Sequence, residues 1–328
     1  MLILAGDIGG TSARLALYDC AGETPRLRAR HTYPSRAHAG ADEIVAAFVR
    51  TQGVTPAALC VGIAGPVRDG TCRTTNLPWT VTAAGLAAAT GVARALLIND
   101  LEAAAWGIDA VPAGLLTVLQ SGEPDPAGNQ SVVAAGTGFG EAGRAFVDGR
   151  LVPFASEGGH ADFAPRTEQD WLFLRWLEAR VGHASWDRIV SGPGLAAIHD
   201  FLREERGEPA PAWLRAALAE GDPAAVISEA ALAGTDAVCD AALDLFVRHF
   251  GAEAGNHALK LMATGGVYLA GGIAPKILPR LSAGAFLTAF ADKGRMAPLL
   301  QRMPVTVIRD GDVALAGAAL CARRALAG

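Results

Sequence analysis

Twice in this chain, two short apolar runs flank a glycine-rich turn. Leu2-Ile3-Leu4-Ala5 and Ala13-Arg14-Leu15-Ala16-Leu17-Tyr18 enclose Gly6-Asp7-Ile8-Gly9-Gly10-Thr11-Ser12. Ser131-Val132-Val133-Ala134-Ala135 and Arg144-Ala145-Phe146-Val147 enclose Gly136-Thr137-Gly138-Phe139-Gly140. Each set reads as a strand hairpin. The recurrence of one grammar is evidence for a duplicated α/β architecture, and 328 residues allow about two domains of ordinary size.

A plain hairpin turn needs one or two special residues, whereas the first turn has Gly-Gly-Thr-Ser and a carboxylate. Glycines let a ligand approach the backbone, and successive N–H groups in such a turn form an anion-binding nest. Thr11 and Ser12 add hydroxyl donors. Asp7 would repel a bare phosphate but suits a hydrated Mg²⁺ that rides on one. The run Gly138-Phe139-Gly140-Glu141-Ala142-Gly143 also satisfies G-x-G-x-x-G. A strand follows it where a dinucleotide fingerprint needs a helix, so it is not read as one.

Between the two hairpins, Leu96-Leu97-Ile98 reads as a buried strand and Leu101-Glu102-Ala103-Ala104-Ala105 as a helix. Asn99 and Asp100 stand at the joint, the strand end where open α/β sheets bind ligands. Taken alone, the stretch makes Asp100 a helix N-cap; the glycine turns add the alternative of a catalytic carboxylate. In Glu157-Gly158-Gly159-His160, polar side chains interleaved with glycines suit a polyol. The bland alternative for His160 is a satisfied core histidine. Val267-Tyr268-Leu269-Ala270 is a third buried strand, flanked by Gly265-Gly266 and Gly271-Gly272, with a carboxyl end suited to a flat ligand such as adenine.

Helices are predicted over Asp42–Gln52, after a Thr82 cap, from Thr167 to about Val181, from Leu195 to Glu205, from about Thr235 to Met262 and over Val313–Leu326. Trp171, Phe173, Leu174 and Leu177 form the expected core face of the third. Gly251 and Gly255 are expected as interruptions of the long helix. Ser185–Ser191 is expected as a short helix broken by Gly192-Pro193-Gly194, and Thr75–Trp79 as a polar-aromatic loop.

The net charge of −5, with no basic stripe, argues against a nucleic-acid partner. Five scattered cysteines without a C-x-x-C pair read as incidental thiols of a reducing compartment. The amino terminus lacks a signal-peptide pattern. Leu77–Ala93 is charge-free but broken by Pro, Thr and Gly, a poor membrane span. A cytoplasmic protein is expected. P-loop and protein-kinase signatures are absent. His160 has no cysteine nearby and no H-E-x-x-H context, so no metal site is assigned.

Gly6-Asp7-Ile8-Gly9-Gly10-Thr11, Ile98-Asn99-Asp100, Gly136-Thr137-Gly138, Glu157-Gly158-Gly159-His160, Ser191-Gly192-Pro193-Gly194-Leu195 and Gly265 to Gly272 together resemble the bacterial ATP-dependent glucokinase family, a branch of the sugar kinase and actin superfamily. The resemblance covers nearly the whole chain in motif order. It implies a two-domain actin-like, ribonuclease H-like α/β ATPase fold with an interdomain cleft. Residues 1–109 plus 306–328 would form a small domain with the phosphate loop and catalytic Asp, and 110–305 a large one with sugar and adenosine contacts. It implies that Gly6, Asp7, Ile8, Gly9, Gly10, Thr11, Gly136, Thr137, Gly138, Gly265 and Gly266 bind ATP carrying Mg²⁺. It implies that Asn99, Asp100, Glu157, His160 and Asp187 hold glucose, with Asp100 as base on the 6-hydroxyl. The family usually has Glu where Asp187 stands. The implied reaction turns ATP and D-glucose into ADP and D-glucose 6-phosphate, feeding glycolysis; glucose and ATP are the expected partners, with no nucleic acid or membrane, and a homodimer is one open oligomeric state. The alternatives are a kinase for another hexose and a sugar-responsive regulator without turnover; the retained Asp100 favours an enzyme.

Overall fold

The computed structural model describes residues 1–22, 24–74 and 77–327. Thr75 and Asn76 of the expected polar-aromatic loop lie outside the described residues, as does Gly328 of the expected small domain. In chain order, the first elements are β1 (Leu2–Ile8), β2 (Ser12–Asp19), β3 (Arg26–Pro34), α1 (Ala41–Gln52), β4 (Ala58–Ile63), β5 (Val67–Arg68), β6 (Thr71–Arg73), β7 (Thr80–Thr82), α2 (Ala83–Thr90), β8 (Ala95–Asn99) and α3 (Asp100–Gly107). Then come β9 (Leu116–Gln120), β10 (Gln130–Ala135), β11 (Phe139–Val147), β12 (Arg150–Ser156), α4 (Glu168–Val181), α5 (Gly192–Arg206), α6 (Ala212–Glu220), α7 (Pro223–Leu232) and α8 (Ala237–Leu261). The chain closes with β13 (Gly266–Ala270), α9 (Ile273–Lys276), α10 (Leu278–Leu281), α11 (Ala285–Ala291), α12 (Ala297–Arg302), β14 (Val305–Ile308) and α13 (Val313–Ala327).

The chain divides into two units. One comprises Met1–Leu115, Val152–Ala155 and Asp310–Gly328, the other Leu116–Leu151 and Ser156–Arg309. The first holds a sheet of order β3-β2-β1-β4-β8. Its β1–β2–β3 meander is antiparallel, while β4 runs parallel to both β1 and β8. Every residue of β4 is buried, as a parallel strand covered on both faces requires. Its β3 is mostly exposed and rich in arginine, in keeping with an edge position. The core gathers Leu4, Ile8, Leu15, Ile44, Phe48 and Leu59. Packing of α13 on α3 is backbone-close: a Cβ at Gly317 would overlap Ala103 O, and one at Gly107 would overlap Val313 O.

A six-stranded sheet has the order β12-β11-β10-β13-β14-β9 and belongs to the second unit apart from Val152–Ala155 of β12. Its first five strands repeat the order of the first sheet: β12, then the antiparallel β11–β10 pair, then β13 and β14 running parallel to β10. The duplicated grammar of the two hairpins is thus a duplicated topology. One antiparallel edge strand, β9, is added. The core is built around Phe173, Phe246, Phe250, Phe286 and Phe290.

Several local expectations change. Helix α8 runs without a break through Gly251 and Gly255. Those glycines lie against Phe286 O and Phe290 O, so they serve the approach of α11 and do not interrupt the helix. On α4 the Thr167–Asp170 capping box forms, but the buried residues are Asp170, Phe173 and Leu177, with Trp171 exposed. Ser185–Ser191 is a turn, not a short helix. Gly192-Pro193-Gly194 is the first turn of α5, where proline needs no N–H partner, and Ser191 Oγ accepts from Gly194 N at 3.2 Å. No helix among the described residues is long and apolar enough to cross a membrane.

Candidate active site

The register of β1 on β2 ends at Ile8 opposite Ala13, leaving Gly9 to Ser12 as the turn. Gly9 N donates to Ser12 O at 3.0 Å. Ser35, fully buried, clamps this turn from its carbonyl side: its N donates to Thr11 O at 3.0 Å and its Oγ to Gly9 O at 2.8 Å. Gly6 is a packing glycine, since a Cβ there would press on the Val61 side chain. At Gly9 a Cβ would meet nothing of the protein closer than Ser12 O at 3.6 Å, so the fold does not demand glycine there.

Asp7, at the base of the turn, pairs across the ladder with Arg14. Its Oδ2 accepts from Arg14 Nε at 3.1 Å and from the adjacent guanidinium nitrogen. Arg14 in turn donates to Gly311 O at 2.6 Å, which fixes the guanidinium and through it the carboxylate. One carboxylate beside a glycine-rich turn is a donor set that suits Mg²⁺, which takes one or two carboxylates plus substrate phosphates.

At the β8–α3 joint, the two polar residues divide their work. Asn99 is the N-cap: its Oδ1 accepts from Leu101 N at 2.8 Å and Glu102 N at 3.2 Å, and its Nδ2 donates to Gly65 O at 3.3 Å. It is buried. Asp100 is therefore not the cap; it is the first helical residue, half-buried, with Oδ1 accepting from Leu101 N at 2.9 Å.

In the second unit, Gly136 N donates to Gly138 O and Gly192 N to Gly136 O, each at 2.8 Å. Asp187 lies against this turn. Its Oδ1 accepts from Phe139 N at 2.7 Å and fills the space a Gly138 Cβ would need. Its own N donates to Gly159 O at 2.7 Å. One residue thus ties the Gly136–Gly138 turn to the Glu157–His160 turn. Asp187, expected to hold glucose, thus has one carboxylate oxygen bound to the Phe139 N–H.

Glu157 and His160 flank a short 3₁₀ turn, with Oε2 and Nε2 3.9 Å apart. The His160 side chain is 61% exposed, so the core-histidine alternative is excluded. Burial raises the Glu157 pKa, opposed by the neighbouring His160. The third glycine-flanked strand has two different ends. At the carboxyl end of β13, Gly271 packs under Ala135 O with φ +85°, and a Cβ at Gly272 would meet nothing. Gly265 and Gly266 stand at the amino end, where a Gly265 Cβ would overlap Gly128 O. That places them a strand length, about 15 Å, from Gly271. Gly265 and Gly266, expected to share a ligand with Gly136–Gly138, therefore stand at the opposite end of the strand from that turn, and Gly271 and Gly272 stand at the same end.

Arg14 and Ser35 were missed from sequence. A signal for Arg14 existed, because a tight turn at Gly9–Ser12 puts it opposite Asp7. No local signal marks Ser35.

A family model described as Glucokinase matches residues 4–325. A curated glucokinase of Synechocystis sp. is 43% identical, covering 97% of each chain. Among solved structures, a glucokinase from an Antarctic psychrotroph matches with a TM-score of 0.83 at 31% identity, covering 98% of this chain and 99% of that one. A ROK family glucokinase from Streptomyces griseus, in complex with glucose and AMPPNP, shares the fold with a TM-score of 0.68 at 22% identity, covering 99% and 100%.

Proposed function

The chain belongs to the glucokinase family, and we propose that it carries out ATP-dependent phosphorylation of D-glucose, giving D-glucose 6-phosphate and ADP and feeding glycolysis. The observation that carries the assignment of a base is the division of labour at Asn99-Asp100. Because Asn99 caps α3, capping does not account for the Asp100 carboxylate.

The first unit supplies the phosphate turn, Gly6 to Thr11, and the base. Backbone N–H groups of the turn hold the phosphates, and Asp7, steadied by Arg14, holds the Mg²⁺ that arrives with ATP. The metal supplies charge neutralisation on the transferring phosphoryl group. Asp100 accepts the proton of the glucose 6-hydroxyl and orients its oxygen in line with the γ-phosphorus, a role worth roughly 10²–10⁴ in rate. Asn99 supports it by fixing the joint. The second unit supplies Glu157 and His160 to the sugar hydroxyls. It also supplies Gly136, Thr137 and Gly138, with Gly271 and Gly272, to the nucleotide. Asp187 acts on the sugar through the two turns it ties.

We place the enzyme in the cytoplasm, with glucose and ATP as partners and no nucleic acid. A homodimer has exposed Trp171 and Leu172 on α4 as an available surface. A coupled ADP-release assay, run with a panel of hexoses against ATP, ADP and polyphosphate, tests the reading. ATP with glucose should give the highest kcat/KM. Glucose binding without ADP release would overturn it in favour of a regulator.

A further inference from the structure

Beneath the Glu157–His160 turn lies a polar cluster that the reaction does not account for. Glu141 on β11 is 1% exposed and Glu253 on α8 is 0% exposed; His257 on α8 and Ser131 on β10 are buried with them. His257 Nδ1 and Ser131 Oγ form a 2.7 Å hydrogen bond, and His257 Nε2 lies 3.7 Å from Glu141 Oε2. Asn256 Nδ2 donates to Glu253 Oε2 at 2.8 Å, and Lys260 Nζ donates to Glu253 Oε1 at 3.4 Å. Two adjacent buried carboxyls do not both ionise. Burial and the neighbouring Glu253 push the Glu141 pKa up to about 8, with Lys260 opposing. Burial and Lys260 hold His257 near 4, neutral at physiological pH.

The outer side of this cluster meets the turn. Gly158 sits so close over Glu141 Oε2 that a Cβ would overlap it, and Gly159 sits in the same way over Phe139 O. Phe139 and Glu141 are two residues apart on β11, the first offering a backbone oxygen and the second its carboxyl. Together they make a two-point floor. Gly158 N is held down by Ser156 Oγ at 2.9 Å. Glu141 Oε1 has no hydrogen-bond partner among the described residues, so this buried acid is not explained by its own satisfaction. An apolar side chain would fill the space without that desolvation penalty.

We propose that Glu141 is a positioning residue for glucose, its buried carboxyl being the floor on which Gly158 rests and so the element that sets where Glu157 and His160 stand. The proposal rests on the assignment of Glu157 and His160 to the sugar. The protonated carboxyl lies beside Glu253, and a glutamine amide keeps the same shape without a charge.

Four variants test it with the full chain, read as separate KM values for glucose and ATP, kcat, and thermal midpoint. Glu141→Gln should keep glucose KM within about twofold of the parent, because shape and donor are retained. Glu141→Ala should raise glucose KM about tenfold with ATP KM unchanged and kcat within about threefold. Gly158→Ala should also raise glucose KM. Adding Glu141→Ala to Gly158→Ala should cost less than the sum of the two, since the trimmed residue makes room. A purely structural Glu141 would lower the thermal midpoint while leaving glucose KM alone, and that result overturns the proposal; so does strict additivity in the double variant. Glu157→Ala is the control for the underlying assignment. If it leaves glucose KM unchanged, the sugar assignment itself fails. If it raises KM while Glu141→Ala does not, only the floor fails.

Discussion

Replacing Asp187 separates two jobs that one carboxylate could do. In the structure, its Oδ1 takes the Phe139 N–H at 2.7 Å while its backbone N–H holds Gly159 O at 2.7 Å. Alanine removes the side-chain acceptor and leaves the Phe139 N–H without it. A hydrogen bond to a charged group is worth about 1.5–3 kcal/mol. If the loosened turn is paid for on glucose binding, that is roughly ten- to hundredfold in glucose KM. The same loss measured as stability should lower the thermal midpoint by about 2–4 °C per kcal/mol for a domain of this size. Asparagine retains an oxygen acceptor for Phe139 N and loses only the charge. We therefore expect Asp187→Ala to raise glucose KM about tenfold or more with a lowered midpoint, and Asp187→Asn to stay within about threefold on both counts. ATP kinetics, glucose kinetics and differential scanning fluorimetry on both variants decide it. If asparagine proves as damaging to glucose KM as alanine while its midpoint is normal, the carboxylate meets the sugar directly and the tie is not its function. An unchanged glucose KM in the alanine variant would remove the residue from sugar binding altogether.

Asp100→Asn should cut kcat by at least about 10² while glucose affinity stays within roughly tenfold, since Asn99 keeps the helix cap; near-normal turnover in a coupled assay would return Asp100 to a structural role. Gly9→Val should raise ATP KM by roughly tenfold or more, one charge-assisted backbone contact, with glucose still protecting against heat; loss of that protection would show a broken fold. Glu141 binds its proton up to about pH 8 when folded and releases it near its ordinary 4.5 when unfolded, so its contribution to stability is complete below about 4.5 and is lost as pH rises through 8. The midpoint of Glu141→Gln, which does not titrate there, should gain on the parent from about pH 5 to 8 and then level off; a constant offset across that range would refute the shift.

What could be read from the sequence was chemistry completed within a few residues. The turn at Gly9–Ser12, the Thr82 cap on Gly85 N at 2.9 Å and the Thr167–Asp170 capping box are all local bonds between near neighbours. The strand β3 was illegible because Arg26, Arg28 and Arg30 suit an edge that faces water, and no apolar alternation remains to mark it. Trp171 was misplaced for a related reason. Helical spacing allows it inward, but Asp170 occupies the buried position, its Oδ2 accepting from Arg166 N at 3.1 Å and Thr167 N at 3.0 Å.

The long-range cases fail differently. Gly251 and Gly255 look like helix breakers in a one-dimensional reading because glycine weakens a helix interior. Only the carbonyls of Phe286 and Phe290, brought in by α11, show that the missing side chains admit a neighbouring backbone. Glu141 is the same problem with the sign reversed. Within Gly138-Phe139-Gly140-Glu141-Ala142-Gly143 it reads as one variable position of a motif that does not apply, and a glutamate is by default a surface residue. Its burial is decided by partners far along the chain: Gly158 above, and Glu253 and His257 beside it. Gly158 was read as spacing between Glu157 and His160, and Glu141 was set aside with its motif. Each is explained by the other, because a side chain at 158 would take the space that the Glu141 carboxyl fills.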